Sequence, residues 1–172
     1  MKRLILMRHG DAPRTLAGDL ERALSAKGSA ETEITAGYIK SNYNVGNYKI
    51  GHILCSSAKR NRQTLGIVQG VIATEVSVEF SDAIYQNDLT ILQELVSNIT
   101  SDSETILLLG HNPTLLTFAL NCDHHGYDEW GDQLSNGIST AEIIVIEFKN
   151  CSNWHDAMID GGKIKDIFIP LL

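Results

Sequence analysis

The stretch Leu4-Ile5-Leu6-Met7-Arg8-His9-Gly10-Asp11 decides how the chain is read. Four apolar residues entered from Lys2-Arg3 and closed by a glycine predict a short buried strand rather than a helix. Gly10 lets the chain turn sharply after the strand. Arg8 and His9 then stand at the strand's carboxyl end, where ligands gather in open α/β sheets. There Arg8 suits an anion clamp and His9 a nucleophile, while a merely solvated Arg-His pair is the plainer alternative. The rest of the chain has to separate the two.

Two further segments repeat the strand-then-turn pattern. His52-Ile53-Leu54-Cys55 predicts a strand, Ser56-Ser57 a cap, and the stretch from Ala58 to about Ala73 a helix. Thr105 to Leu109 is the most hydrophobic strand and runs into Gly110-His111-Asn112-Pro113. Asn112 is placed to cap the next helix, with Pro113 at its first position and Leu115, Leu116, Ala119 and Leu120 on its apolar face. In a largely parallel sheet these three strand ends converge on one edge. Helix amino termini beside them favour an anion.

Within the second segment, Arg60 and Arg62 differ by about 200° around a helix and cannot share a face. Arg60 lies in line with Thr64, Ile67 and Val71, so it is directed inward; Arg62 lines up with Gly66, Gln69 and Ala73 and faces water. An inward arginine needs an anionic partner, which a phosphate would supply, a structural pair with an acidic residue being the plainer alternative.

Elsewhere, Asp11 to Leu24 reads as a loop, with Asp11 placed either to orient Arg8 or Arg22 or to close the turn. Ser25 caps a helix carrying Ala30, Ile34, Tyr38 and Ser41 at helical spacing. Val76 to Phe80 alternates as a strand. Asp88 caps a helix with a stripe of Leu92, Leu95, Val96 and Ile99. Residues 121–137 form a polar loop anchored by Tyr127 and Trp130 and bordering the substrate. Ala141–Phe148 and Ile164–Ile169 are the last strands, where antiparallel pairing is possible. The expected fold is an α/β/α three-layer sandwich around a mostly parallel sheet, in one domain spanning 1–172.

Composition narrows the function classes. The chain is 43% apolar, with 14 basic and 21 acidic residues and a net charge of -7, which disfavours nucleic acid or an anionic membrane as partner. No stretch approaches the ~20 apolar residues of a membrane span. Three cysteines at unpatterned spacing give neither a disulfide framework nor a zinc signature, so a cytoplasmic protein with reduced thiols is expected. Cys55 reads as a buried inert thiol, His52 as structural and His155 as a surface residue. Asp123, His124 and His125 lack a second cluster at ligand spacing, so no metal is assigned.

Taken together, Arg8-His9-Gly10, the run Ser56-Ser57-Ala58-Lys59-Arg60-Asn61-Arg62-Gln63-Thr64, and Gly110-His111 resemble the histidine phosphatase superfamily. Leu6 to Ala12, Arg22-Ala23-Leu24-Ser25 with Gly28, and Gly110 to Pro113 resemble more closely the SixA-type phosphohistidine phosphatases. Trp154, Gly162, Phe168 and Pro170 fit the same subfamily, so the likeness spans nearly the whole chain.

The resemblance implies a phosphoglycerate mutase-like fold and a covalent phosphohistidine on His9, released by water. Arg8, Arg60 and His111 would stabilise phosphoryl charge, and Arg22, Asn112 and Gly10 would contact substrate, a solvated loop arginine being the plainer reading of Arg22. His9 must be neutral, with a backbone carbonyl orienting its second nitrogen and nearby cations opposing its protonation. No cofactor or metal is implied. The partner would be a phosphorylated histidine on a signalling or phosphotransfer protein, and the enzyme a monomer. A phosphatase of small phosphate esters, such as sugar or nucleotide phosphates, is the alternative.

Two departures from the pattern stand out. Ser57 replaces a common proline, which alters the turn modestly. The carboxylic acid that ester-cleaving relatives supply after the middle strand is not assigned within Asp82 to Asp88, since Asp88 reads as a helix cap. A missing acid hurts an alkoxide leaving group more than an imidazole, and so favours phosphohistidine.

Overall fold

The computed structural model describes residues 1–16, 18–44, 46, 49–72, 76–86, 88–124 and 130–172. In chain order the elements are β1 (Lys2–Arg8), α1 (Ala26–Asn42), β2 (Ile50–Ser56), α2 (Lys59–Ile72), β3 (Ser77–Ser81), α3 (Asp82–Tyr85) and α4 (Leu89–Ser97). There follow β4 (Thr105–Gly110), α5 (Thr114–Cys122), α6 (Gly131–Leu134), β5 (Ile143–Phe148), α7 (Trp154–Asp160) and β6 (Lys163–Phe168). The six strands form one sheet in the order β3-β2-β4-β1-β5-β6. The first four are parallel neighbours; β5 and β6 join antiparallel.

Strand alternation divides the core into two layers. Leu4, Leu6, Ile106 and Leu108 meet Ile84, Leu92, Val96, Leu115, Phe118 and Trp154 on one face. Ile5, Met7, Leu107 and Leu109 meet Ala36, Ile39, Leu65 and Val68 on the other. Helices α1 and α2 therefore cover one face and α3, α4, α5 and α7 the opposite one. The three-layer sandwich is as expected from the sequence.

Register sets the position of the site. Arg8 pairs with Gly110, and Cys55 with Leu109, so β2, β4 and β1 end side by side. Ser56, His111 and His9 continue from three adjacent strands onto the same edge.

Several expectations are corrected in detail. The buried face of α1 carries Gly28, Glu31, Thr32, Thr35, Ala36 and Ile39, whereas Ile34 is exposed. Small residues and threonines lie inward because α1 packs close: Thr35 Oγ1 donates to Ala141 O at 2.8 Å. Ser25 caps α1 as expected, accepting from Gly28 N. Asp11 closes the turn: its Oδ2 accepts from Ser25 Oγ at 2.6 Å and its carbonyl from Ser25 N at 2.9 Å.

Asn112 does not cap α5. Pro113 takes that position without a side-chain bond, and Asn112 Nδ2 donates instead to Ile138 O at 2.8 Å. Asp123 bridges to Gly162, and His124 N donates to Gly162 O, at the end of the sheet opposite His9. The start of the 121–137 loop is thus far from that edge; Tyr127 and His125 lie outside the described residues. Short helices α3, α6 and α7 are additions to the sequence-based layout.

Candidate active site

His9 is held by its own backbone. Its N–H faces Gly110 O, and its carbonyl accepts from Ala141 N at 3.1 Å. The ring's Nδ1 lies 2.8 Å from Gly10 O, so the tautomer with the proton on Nδ1 donates there. The lone pair is then on Nε2, 3.2 Å from Arg60 Nε, which donates to it. Burial holds the His9 pKa down to about 4, with Arg60, Arg8 and Arg22 pushing the same way and the Gly10 bond opposing. The cations foreseen from sequence act, but desolvation is the larger cause.

Gly10 serves this arrangement through its carbonyl rather than by meeting a ligand. Its N–H is committed to Thr64 Oγ1 at 3.2 Å. A Cβ at this position would sit 2.4 Å from Gly28 O, so glycine permits β1 to pass against α1. Gly10 thus has a packing and orienting role and is not among the residues that border the pocket.

Arg60 and His111 complete the floor. Arg60 is 4% exposed and His111 5%, matching His9 at 5%. Arg62 is exposed and stacks its guanidinium 4.5 Å from the Phe80 ring, so helical phase separates the two arginines as expected. The His9 and His111 ring centroids are 5.2 Å apart. Ser56 Oγ lies 2.8 Å from His111 Nε2, and its hydroxyl can satisfy that nitrogen in either tautomer, leaving Nδ1 toward Arg60 NH2 at 3.2 Å. Ser56 is thus more a support for His111 than a helix cap, since its contact with Ala58 N is 3.4 Å. Burial, reinforced by His9 and Arg60, lowers the His111 pKa to about 3.

Arg8 enters from the β5 side. Its NH1 donates to Ile138 O at 2.7 Å, the same carbonyl that Asn112 holds. Behind this loop the buried carboxylate of Glu142 accepts from Ser139 N and stands as a countercharge to Arg8. Arg22 lines the same opening, with its guanidinium bonded to Ala12 O, Pro13 O and Asp19 Oδ1. All of Arg8, His9, Arg22, Arg60, His111 and Asn112 border one open pocket of about 480 Å³.

Three pocket residues were not foreseen: Asp19, Tyr85 and Gln86. Asp19 is two-bonded through Oδ2, to Arg60 NH2 and Tyr85 OH, each at 3.0 Å. The pairing of Asp19 with Arg22 at i,i+3 was the available sequence signal. Asp88 is confirmed as a cap, its Oδ1 accepting from Thr90 N and Ile91 N.

Other candidates stay outside the site. Cys55 is buried, its thiol pushed up to about 12 by desolvation. His52 approaches Glu79 at 3.8 Å, and exposed His155 meets Ser97. A groove between Lys149, Lys163 and Lys165 lies at the opposite end of the sheet from His9. Among the described residues no three His, Cys, Asp or Glu side chains are grouped to hold a metal. No described helix is long and apolar enough to cross a membrane.

No protein-family model matches the chain. An uncharacterized protein of Mycobacterium leprae is 24% identical over 153 residues, covering 88% of this chain and 89% of that protein. A structure assigned as the phosphohistidine phosphatase SixA of Nakamurella multipartitia superposes with a TM-score of 0.84 at 21% identity, over 99% of this chain and 97% of that one. The structure of the protein histidine phosphatase SixA complexed with tungstate gives 0.79 at 20% identity, covering 98% and 97%. More distant is a mycobacterial glucosyl-3-phosphoglycerate phosphatase, at 0.59 and 12%, covering 98% and 97%. The chain thus has the fold of the SixA phosphohistidine phosphatases, within the wider histidine phosphatase fold.

Proposed function

We propose that the protein is a phosphatase that takes the phosphoryl group of phosphohistidine on a protein onto His9 and releases it to water. The observation that carries this reading is the His9 Nε2 lone pair. It is fixed by the Nδ1 bond to Gly10 O and directed into a pocket walled by Arg8, Arg22 and Arg60. The likeness to a SixA that binds tungstate, a tetrahedral oxyanion, supports a phosphoryl ligand in this pocket.

The chemistry follows from the groups present. His9 Nε2 donates its electron pair to phosphorus while the P–N bond of the substrate breaks, and that pair stays on the departing ring. Arg8, Arg60 and His111 hold the nonbridging oxygens as charge redistributes among them. Water then adds to phosphorus, the P–Nε2 bond breaks, its electron pair returns to His9, and both water hydrogens leave on dihydrogen phosphate. Every step uses side chains of the pocket.

The pocket opens to the surface between Arg22, Tyr85 and Asn112, which suits a histidine presented on a folded protein. A phosphorylated histidine phosphotransfer domain is the substrate to test, beside sugar and nucleotide phosphates. Phosphate release from the domain by the native chain, lost to background in His9→Ala, is expected. Acid-labile label from a radiolabelled phosphorylated domain should also be trapped on His9. Turnover in His9→Ala equal to the native rate would refute the nucleophile, and faster turnover of the small esters would reassign the substrate.

A further inference from the structure

One carboxylate stands among the pocket's cations. Asp19 Oδ1 accepts from Arg22 NH1 at 2.8 Å, and Oδ2 accepts from Arg60 NH2 and from the Tyr85 hydroxyl, both at 3.0 Å. Its main-chain carbonyl takes a further bond from Arg60 NH1 at 2.6 Å. Gly18, in the left-handed region at φ 93°, turns the chain just before it. Asp19 is thereby tied to α2 on one wall of the pocket and to α3 on the other.

Depth gives this carboxylate its direction. The side chain of Asp19 is 51% exposed, whereas His9, Arg60 and His111 are buried on the floor. A phosphoryl group attacked by His9 Nε2 from the floor expels its leaving group in line, toward the mouth. Asp19 and Tyr85 occupy that mouth.

We propose that Asp19 is a specificity-determining residue that selects a protonated nitrogen leaving group over an oxygen one. The proposal rests on the phosphohistidine reading and deepens it. A phosphorylated imidazole leaves readily when its second nitrogen carries a proton. The electron pair of the broken P–N bond then stays on a ring that departs as neutral imidazole, and the enzyme supplies no proton. An ionised carboxylate beside that N–H accepts its hydrogen bond and favours the protonated ring.

The same group penalises esters. An alkoxide needs a proton as it leaves, and Asp19 has none to give at neutral pH. Hydrogen bonds from Arg22, Tyr85 and Arg60 hold its carboxyl far below the usual carboxylate range, against the smaller pull of desolvation. An oxyanion emerging next to this carboxylate is repelled. One side chain therefore acts on both substrate classes, in opposite directions.

The test compares the native chain with Asp19→Asn and Asp19→Glu on two substrates across pH 6 to 9. One is a histidine phosphotransfer domain carrying phosphohistidine; the other is p-nitrophenyl phosphate, whose leaving phenolate needs no proton. In Asp19→Asn, kcat/KM on phosphohistidine is expected to fall at least tenfold, with its alkaline limb moved to lower pH. On p-nitrophenyl phosphate it should rise severalfold, because the anion has left the mouth. Asp19→Glu, which keeps the charge, should retain the native preference. Equal losses on both substrates with an unmoved alkaline limb would overturn the proposal and leave Asp19 as a brace for Arg22 and Arg60. Failure of the native chain to dephosphorylate the domain would instead strike the phosphohistidine reading itself.

Discussion

At Gly10 a missing side chain fixes the geometry of the nucleophile. A methyl group there would meet Gly28 O at 2.4 Å and Thr32 Oγ1 at 2.7 Å. Backbone must shift to admit it, and Gly10 O would move with the His9 Nδ1 that it holds. Gly10→Ala is expected to cost about 1–3 kcal/mol of stability by overpacking, read as a lower urea midpoint, and to slow turnover more than it weakens phosphate binding. An unchanged midpoint would show that the β1–α1 approach is looser than its distances. In sequence Gly10 was visible as a turn and, through the resemblance, as a substrate contact; its packing role was not, because its partner Gly28 lies on another element. Arg60 was readable because helical phase is local: two residues on one helix sort themselves without knowledge of the fold. Asp19 was hidden because its partners Arg60 and Tyr85 come from two distant elements, and only the close pair with Arg22 lay within local reach.

For the helices, legibility followed the strength of the local signal. Asp88 precedes a stripe of leucines, and the structure bears out both the cap and the buried Leu92 and Val96. Asp88→Ala should remove about 1 kcal/mol of stability while leaving turnover of p-nitrophenyl phosphate unchanged. A loss of turnover without a loss of stability would move Asp88 from cap to proton donor, and the difference is readable from thermal melts run beside the assay. The apolar face of α1 was misplaced for the reverse reason. Threonines and small residues form its inner surface, so its hydrophobic periodicity is nearly absent and Ile34 is left in water. Asn112 looked like a cap by composition, but the carbonyl of Ile138 competes for its amide and wins. That competitor is 26 residues away, and no local pattern announces it.

Across the whole molecule, sheet order makes the site. With β4 between β1 and β2, the residues after three strand ends meet on one edge, and burial there leaves both histidines neutral. The alternation of strands and helices implied this edge, although it could not say how deeply His9 and His111 would be sunk. That depth ties stability to pH. Unfolded histidine titrates near 6.5, whereas His9 is held at about 4 and His111 at about 3. Between these values the unfolded chain binds more protons than the native one, so stability must fall as pH drops. The contribution is complete above about pH 6.5 and is lost progressively toward pH 4. His52, also lowered by burial, adds in the same direction. Glu142, whose carboxyl burial raises, acts in the opposite sense as it gains a proton. Asp19 stays ionised through this range and adds nothing to the slope from pH 7 to pH 5. The urea midpoint should therefore decline over that interval, and His111→Gln should decline less steeply. In the same free enzyme kcat/KM should hold its value down to about pH 5, because His9 keeps its lone pair until near its pKa of about 4. A midpoint that is flat from pH 7 to pH 5, or an acid limb of kcat/KM near 6.5, would mean that water reaches the floor of the pocket and that His9 is solvated rather than buried.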